Sequence, residues 1–530
     1  MYFVGVDVGT GSARAGIFDA QGDLLGLAKH SIQTHRTDAG YAEQSSIQVW
    51  EAVCNSVSEA VRKSRLAADN IIGISFDATC SLVVEGSGIG VGSADHPERD
   101  IIAWFDHRAK AQADQINTTK HPVLDYVGGR ISPEMQTPKL LWLKENHQDA
   151  YHAARHFFDL TDFLTWKASG STCRSTCTVA CKWTYLAHEQ RWDDSYFSTV
   201  GLSDLIQNNY ARIGSNIVPP GTALGAGLTE AAATAMSLHP GTAVAAGLID
   251  AHAGGLATVG TRSGKGVTST LAYVFGTSSC TMTSSDTAHQ VPGVWGPYYS
   301  AMVPDLWLNE GGQSAAGAAL DQLCASHPAS SEAKRLASNA GQPVTRWLAD
   351  QALAKDMGHE SVLLADGIHV VPEYLGNRAP FADPERRAVI AGLGMQTGID
   401  SLIGLYVAGL CGLAYGLRQI IETQTEYGLD TKAISVSGGA GGHPLTAQIL
   451  ADATQRSVEV THSPEPVLLG SAMLAAKAAH AVPDLHTAMT RMTHIAQRYE
   501  PNPKAAVIHE TRFHAFCRLQ ALADEIANEL

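Results

Sequence analysis

The chain opens with apolar runs broken by short polar interruptions at strand spacing. An apolar run over 2–8 gives way to Gly9-Thr10-Gly11-Ser12, and a second run covers 13–19. Ala20-Gln21-Gly22-Asp23 then turns into a third run that ends near Ser31. Such runs, bounded by Gly, Ser and Asp, predict strands joined by tight turns. The period then changes. Val49, Val53, Val57 and Val61 recur every four residues and predict a helix over 48–65, followed by a short buried strand over 71–75. Antiparallel strands, then helix, then strand, form a mixed α/β pattern.

The pattern returns half a chain later. Residues 271–275 read as a strand, Gly276-Thr277-Ser278-Ser279 as a turn and 280–283 as a second strand. Both turns carry Gly-Thr-x-Ser. Beyond the second, an Ala/Gly-rich helix is predicted over 314–324, a strand over 368–371 and a long helix over 400–427. A strand over 433–437 feeds a glycine cluster, followed by helix 445–454, strand 458–460 and helix 468–479, with a helical C-terminal stretch. The Pro/Gly/Ala-rich stretch 219–246 precedes the repeated unit. The expectation is two lobes, 1–246 and 247–530, each opening on a glycine turn.

Composition narrows the function. With 530 residues, 45% of them hydrophobic and 17% charged, the chain can bury large cores, and extensive disorder is excluded. Its 50 glycines then call for a local explanation, such as backbone that must come close to something. The 52 acidic residues outnumber 37 basic ones, giving a net charge of −15, which argues against nucleic-acid or membrane-surface binding. The longest apolar stretch, 244–259, is interrupted by Asp250 and His252, and the N-terminus lacks a basic leader-like segment. Nine cysteines, an odd number widely spread, fit a reducing compartment, so a cytoplasmic protein is expected. Cys173, Cys177 and Cys181 would line one face of a helix and could hold a metal. Their segment reads as strand-like, however, with no fourth ligand at finger-like spacing, so no metal is expected there.

Asp7 ends a strand beside a turn with free N–H groups and two hydroxyls. Successive N–H groups form an anion-binding nest, and a carboxylate there can hold Mg²⁺. A plain hairpin turn is the alternative reading, which the second copy at Gly276-Thr277 weakens. Residues 260–266 only superficially resemble a P-loop, with three residues between the glycines rather than four. Ser437-Gly438-Gly439-Ala440-Gly441-Gly442 lacks the GxGxxG spacing but suits close approach to a flat or phosphorylated ligand.

These features resemble the sugar kinase/actin/Hsp70-type ATPases and, within them, the ribulokinase-like (pentulose kinase) branch of the FGGY family of carbohydrate kinases. The resemblance covers essentially the whole chain. It rests on Phe76-Asp77-Ala78-Thr79-Cys80-Ser81-Leu82, Trp104-Phe105-Asp106-His107-Arg108-Ala109, Cys181-Lys182-Trp183-Thr184-Tyr185 and Gly247-Leu248-Ile249-Asp250-Ala251-His252. Glu310-Gly311-Gly312-Gln313-Ser314-Ala315, Tyr374-Leu375-Gly376-Asn377-Arg378-Ala379-Pro380 and the 437–442 cluster complete it. The order and spacing of these pieces carry the resemblance, and the family signature around 388–410 is met only loosely.

The resemblance implies a two-lobed actin-like (ribonuclease H-like) α/β fold, with duplicated mixed sheets, flanking helices and a cleft between the lobes. It implies ATP-dependent phosphorylation of a ketopentose, D-ribulose first, with L-ribulose, D-xylulose, ribitol or another polyol as alternatives. A non-catalytic actin/Hsp70-type nucleotide-binding module is the remote alternative. Asp250 would be the general base and Asp7 would help hold Mg²⁺. Gly9, Thr10, Gly11 and Ser12 would lie near the phosphates of ATP, Gly276 and Thr277 would cradle them from the other lobe, and Gly438, Gly439 and Gly442 would line the adenosine pocket. Asp106, Lys182, Asp250 and Glu310 would hold the sugar, with Arg108 as a helper. Trp104 and Trp183 could offer an apolar face to the sugar's carbon backbone, but core packing is the favoured reading of both. Homodimers occur among similar proteins.

Overall fold

The computed structural model describes residues 1–530 except 38–39, 94, 261–265, 356–359, 440 and 530. Most of the P-loop look-alike, and Ala440 of the late glycine cluster, therefore lie outside the described residues.

Two mixed sheets organise the chain. In the first, the strands run Leu24–Ser31, Ser12–Phe18, Tyr2–Gly9, Ile71–Ala78, Ala243–Val244. The first three are antiparallel, while Ile71–Ala78 joins Tyr2–Gly9 in parallel and Ala243–Val244 continues in parallel. The second sheet repeats this order with Trp307–Gln313, Ser279–Ser285, Thr270–Phe275, Ala433–Ser437 and Ser457–Thr461. Its edges are extended by Trp295–Tyr299 and Ile495–Tyr499. The duplication expected from the two Gly-Thr-x-Ser turns is thus present strand for strand. In each sheet the glycine turn closes the central hairpin: Gly9 pairs with Ser12, and Phe275 with Ser279.

Sheet membership moves the lobe boundary. Leu248–Ile249 still pairs with Asp77 and Ala78 of the first sheet, so the first lobe runs past residue 246. Nor does the first sheet's cover come from the first lobe alone. Helix Pro466–Ala478 lies across strands Tyr2–Gly9 and Ile71–Ala78 and against helix Asp250–Val259. Backbone meets backbone there: a Cβ at Gly5 would collide with the Leu468 carbonyl, and one at Gly470 with the Ala253 carbonyl. The burial of Leu468, Leu469, Ala472 and Met473 in one core with Phe3 and Phe18 holds the helix in place.

Ser46–Ser64 is the predicted amphipathic helix, N-capped by Ser45 and buried through Val49, Val53, Val57 and Val61. Two expectations are corrected. Thr176–Lys182 is a helix rather than a strand, because the Ser175 side chain accepts the Cys177 N–H and caps its start. And 244–259 is not the longest apolar stretch: among the described residues, helix Ile399–Glu426 is long and apolar enough to cross a membrane, and most of its apolar stretch is buried in the second core.

Candidate active site

The parallel register sets the first group of carboxylates. Asp7 and Asp77 lie opposite each other on adjacent parallel strands. Leu248–Ile249 pairs beside Asp77, and Asp250 follows as the first residue of helix Asp250–Val259. All three acids therefore gather at the carboxyl ends of the parallel strands, where open α/β sheets place their ligands.

Their environments differ. Asp7 is buried and paired with Arg14, directly across the hairpin, which donates through Nε at 2.7 Å and also through Nη2. Arg14 also reaches Glu465, just before the cross-packed helix, at 2.8 Å. Asp77 is fully buried; its Oδ2 accepts from Ser471 Oγ at 2.5 Å while its Oδ1 is buried without a partner. Burial, with Asp7 alongside, pushes the Asp77 carboxyl well above its usual range. Asp250 is half-buried and accepts the N–H of Ala251 at 2.7 Å. Burial, then the charge of Asp7, raises it to about 6. Sequence reasoning passed over Asp77, whose part emerges only from the strand register.

Lys182 and Glu310 meet beside this group. Lys182 ends helix Thr176–Lys182, and Glu310 sits mid-strand in Trp307–Gln313, its ladder neighbours being Trp295 on one side and Met282 on the other. Both are buried, with the ammonium 3.8 Å from Glu310 Oε2, too far for a direct hydrogen bond, and 4.5 Å above the Trp295 ring. Against the effect of burial, Lys182 and then His252 bring Glu310 down to about 2, while Glu310 raises Lys182. Cys280, in the return strand of the second hairpin, faces the same set. Its thiol is pushed up to about 11 by burial, with Arg378, Glu310, Asp250 and Lys182 acting on it. A buried cation and anion, 3.8 Å apart, thus lie within electrostatic reach of the Asp250 carboxyl.

The three glycine turns open onto solvent. Gly11, Gly276, Thr277, Gly438, Gly439 and Gly442 are exposed, whereas Gly9, Thr10 and Ser12 are half-buried. A Cβ at Gly11 or Gly439 would meet nothing within 4 Å, so the protein's own packing does not demand glycine there. That leaves room for a ligand. Gly438 is different: its φ is +95° and a Cβ would collide with the Phe275 carbonyl. The Gly276 and Thr277 carbonyls accept the N–H groups of Gly317 and Ala316 at 3.0 and 2.9 Å, tying the second turn to the next helix. Trp104 does more than fill the core, since its Nε1 donates to Thr10 Oγ1 at 3.0 Å. Trp183 is buried in the core.

Two expected sugar ligands are spent elsewhere. Asp106 accepts the Ala42 and Arg108 N–H groups at 2.6 and 2.8 Å, and the Arg108 guanidinium at 3.0 and 2.8 Å. Arg108 also reaches Glu43 at 2.9 Å and lies over the Tyr41 and Trp142 rings. Both side chains are fully buried in this knot. Asp106 and Arg108 are therefore not joined to the Lys182–Glu310–Asp250 group.

For a divalent cation, the donor set fits. Asp7 and Asp77 bring hard oxygens side by side, Asp77 Oδ1 has no hydrogen-bond partner, and the Asp77 proton, held on by burial and by Asp7, would be displaced by hard Mg²⁺.

Comparison with known proteins gives the family and the fold. The models of the FGGY family of carbohydrate kinases match over residues 2–257 (N-terminal domain) and 271–479 (C-terminal domain). The chain is 42% identical to an FGGY carbohydrate kinase domain-containing protein of Homo sapiens, over 98% of this chain and 96% of that one. It is 36% identical to a D-ribulokinase of Saccharomyces cerevisiae, over 90% of this chain and 72% of that one. Among solved structures, a xylulose kinase from Rhodospirillum rubrum superposes with a TM-score of 0.79 at 21% identity, each chain covered to 99%. A Plasmodium falciparum glycerol kinase with ADP superposes with a TM-score of 0.77 at 14% identity, each chain covered to 98%. These two speak for the fold. The chain belongs to the FGGY family of carbohydrate kinases, ATP-dependent enzymes that phosphorylate sugars.

Proposed function

We propose that this kinase transfers the γ-phosphoryl group of ATP to the terminal hydroxyl of D-ribulose, giving D-ribulose 5-phosphate. The observation that carries the reading is the buried Lys182–Glu310 pair, within electrostatic reach of Asp250 at the carboxyl end of the first sheet. The likeness to the yeast D-ribulokinase supports the choice of sugar.

Asp250, raised only to about 6, is ionised at neutral pH and positioned to accept the proton of the attacking hydroxyl. Lys182 and Glu310 each bridge neighbouring hydroxyls of the chain-form sugar, one donating and one accepting. Thr10, Gly11 and Ser12 of the first turn and Thr277 of the second offer N–H groups and hydroxyls to the phosphates, while Gly9 and Gly276, the latter with its N–H bonded to the Ser278 carbonyl at 3.0 Å, let the backbone come close. Gly439 and Gly442 leave space for the adenosine, and Gly438 shapes that loop. Asp7, with Asp77, would hold Mg²⁺, which supplies counter-charge to the transferring phosphoryl group. The free state of all nine cysteines suits a cytoplasmic enzyme.

An ADP-release assay across D-ribulose, L-ribulose, D-xylulose and ribitol tests the reading. The expected result is the highest kcat/KM on D-ribulose. Preference for another member of the panel would overturn the choice of sugar, and no turnover on any free sugar would overturn the catalytic reading.

A further inference from the structure

A second polar cluster, which no step above uses, lies behind the sugar ligands. The ligand atoms of Cys177, Cys181 and His252 lie within 4.8 Å of one another, and all three residues are buried. The cysteines stand one turn apart on helix Thr176–Lys182, and His252 lies in the first turn of the helix that Asp250 begins. Each imidazole nitrogen has a partner: Nδ1 is 3.0 Å from Cys177 Sγ, and Nε2 is 3.2 Å from Glu310 Oε2. The same sulfur accepts the N–H of Ile249, the residue directly before Asp250, at 3.4 Å. One atom is thus bonded towards the base through Ile249 and towards the sugar carboxylate through His252.

Proton bookkeeping leaves two states. Glu310 is ionised and must accept from Nε2–H. Nδ1 then either accepts a proton from the thiol or donates one to a thiolate. The sulfur already accepts the Ile249 N–H, and the Cys181 sulfur lies within 4.8 Å of it. We infer that Cys177 is a resident thiolate paired with a His252 imidazolium, and that this pair positions Glu310 and Asp250 for the acceptor sugar. The proton that leaves Sγ resides on Nδ1, and no other reactant is needed. With Lys182 and Glu310, the two charges of each sign cancel inside the protein. The other groups facing the pair are Asp159 and Asp162, which oppose the thiolate, and Asp250, beside His252. Burial opposes both charges. Even so, Cys181, His252 and the Ile249 N–H hold the Cys177 thiol below its usual range, and Cys177 and Glu310 hold His252 above its own.

The positioning half of this inference rests on the kinase reading, whereas the ion pair does not. The test uses the purified full chain with Cys177→Ser, Cys177→Ala and His252→Gln variants and Cys324→Ser as control. At neutral pH the wild type should show the far-ultraviolet thiolate band of one cysteine per chain. The Cys177 and His252 variants should lose the band and the control should keep it, an outcome that needs no turnover. In the kinetic arm, with whichever sugar the wild type phosphorylates, His252→Gln and Cys177→Ala should raise the sugar KM about ten- to a hundredfold. The KM for ATP should stay unchanged, with Cys177→Ser recovering part of the loss. A missing band, a band indifferent to His252→Gln, or equal effects on both KM values would overturn the inference. One equivalent of zinc, lost on replacing Cys177, would also overturn it by making the sulfur a metal ligand instead.

Discussion

Replacing Asp250 with Asn should remove activity and at the same time stabilise the fold. The free Asp250 carboxyl would titrate near 3.8, whereas burial and Asp7 hold it near 6 in the folded chain. That difference corresponds to about 3 kcal/mol of unfavourable electrostatics at any pH above both values. The direction follows from the raised value. Above about 6 the group is charged in both states and the whole penalty is present. Between about 6 and 3.8 the folded chain takes up the proton first and the penalty fades, and below 3.8 it is gone. Asparagine keeps the Oδ1 acceptor for the Ala251 N–H but never ionises. For 530 residues the unfolding entropy is about 1.1 kcal/mol per kelvin, so the variant's Tm should rise by about 3 °C at about pH 8. At about pH 4 the gain should be nearly absent. Differential scanning fluorimetry without ligands reads both values, and the sugar kinase assay should show a loss of about 10²–10⁴ in kcat. A variant no more stable than the wild type at about pH 8 would refute the claim that Asp250 is an electrostatically strained base.

In the wild type, kcat/KM should fall about tenfold per pH unit below about 6, as protonation removes the base; a profile flat down to about pH 5 would contradict the assignment. Gly439→Ala should leave Tm unchanged yet raise the KM for ATP, since its Cβ would meet only space. Gly438→Ala should instead lower Tm, through its positive φ and the Phe275 carbonyl. Lys182→Met should reduce kcat/KM for the sugar by about ten- to a hundredfold with little change in the KM for ATP, measured by steady-state kinetics. Asp106→Ala, which leaves the buried Arg108 short of a partner, should cost about 3–5 kcal/mol and lower Tm by about 3–5 °C, visible by calorimetry without any sugar.

How much of this was legible in the sequence depended on how local each feature is. Both glycine hairpins and the helix Ile399–Glu426 are written in contiguous residues, and they lie where the pattern puts them. Strand Trp307–Gln313 escaped pattern reading because Asn309, Glu310, Gly311 and Gly312 break the apolar run, and Glu310 is the residue that faces Lys182. The helix carrying Cys177 has seven residues, too few for a period to emerge, and its Ser175 cap was the available signal. Asp77 became a site candidate only through pairing with Asp7 across a parallel register, which no single stretch encodes. Asp106 and Arg108 lie two residues apart, and nothing local tells a pair that grips a ligand from one that grips itself.

The helix Pro466–Ala478 gives this architecture a temporal consequence. Its apolar face covers the sheet that holds Tyr2–Gly9, so a strand synthesised long before this helix waits for it before its core can close. Contacts of such sequence separation slow folding and leave the strand edges and faces exposed in the meantime. The two lobes are therefore not separable products of synthesis. A fragment ending before residue 466 would leave Phe3 and Phe18 without Leu468 and its neighbours and would need a chaperone or a complementing C-terminal fragment to remain soluble.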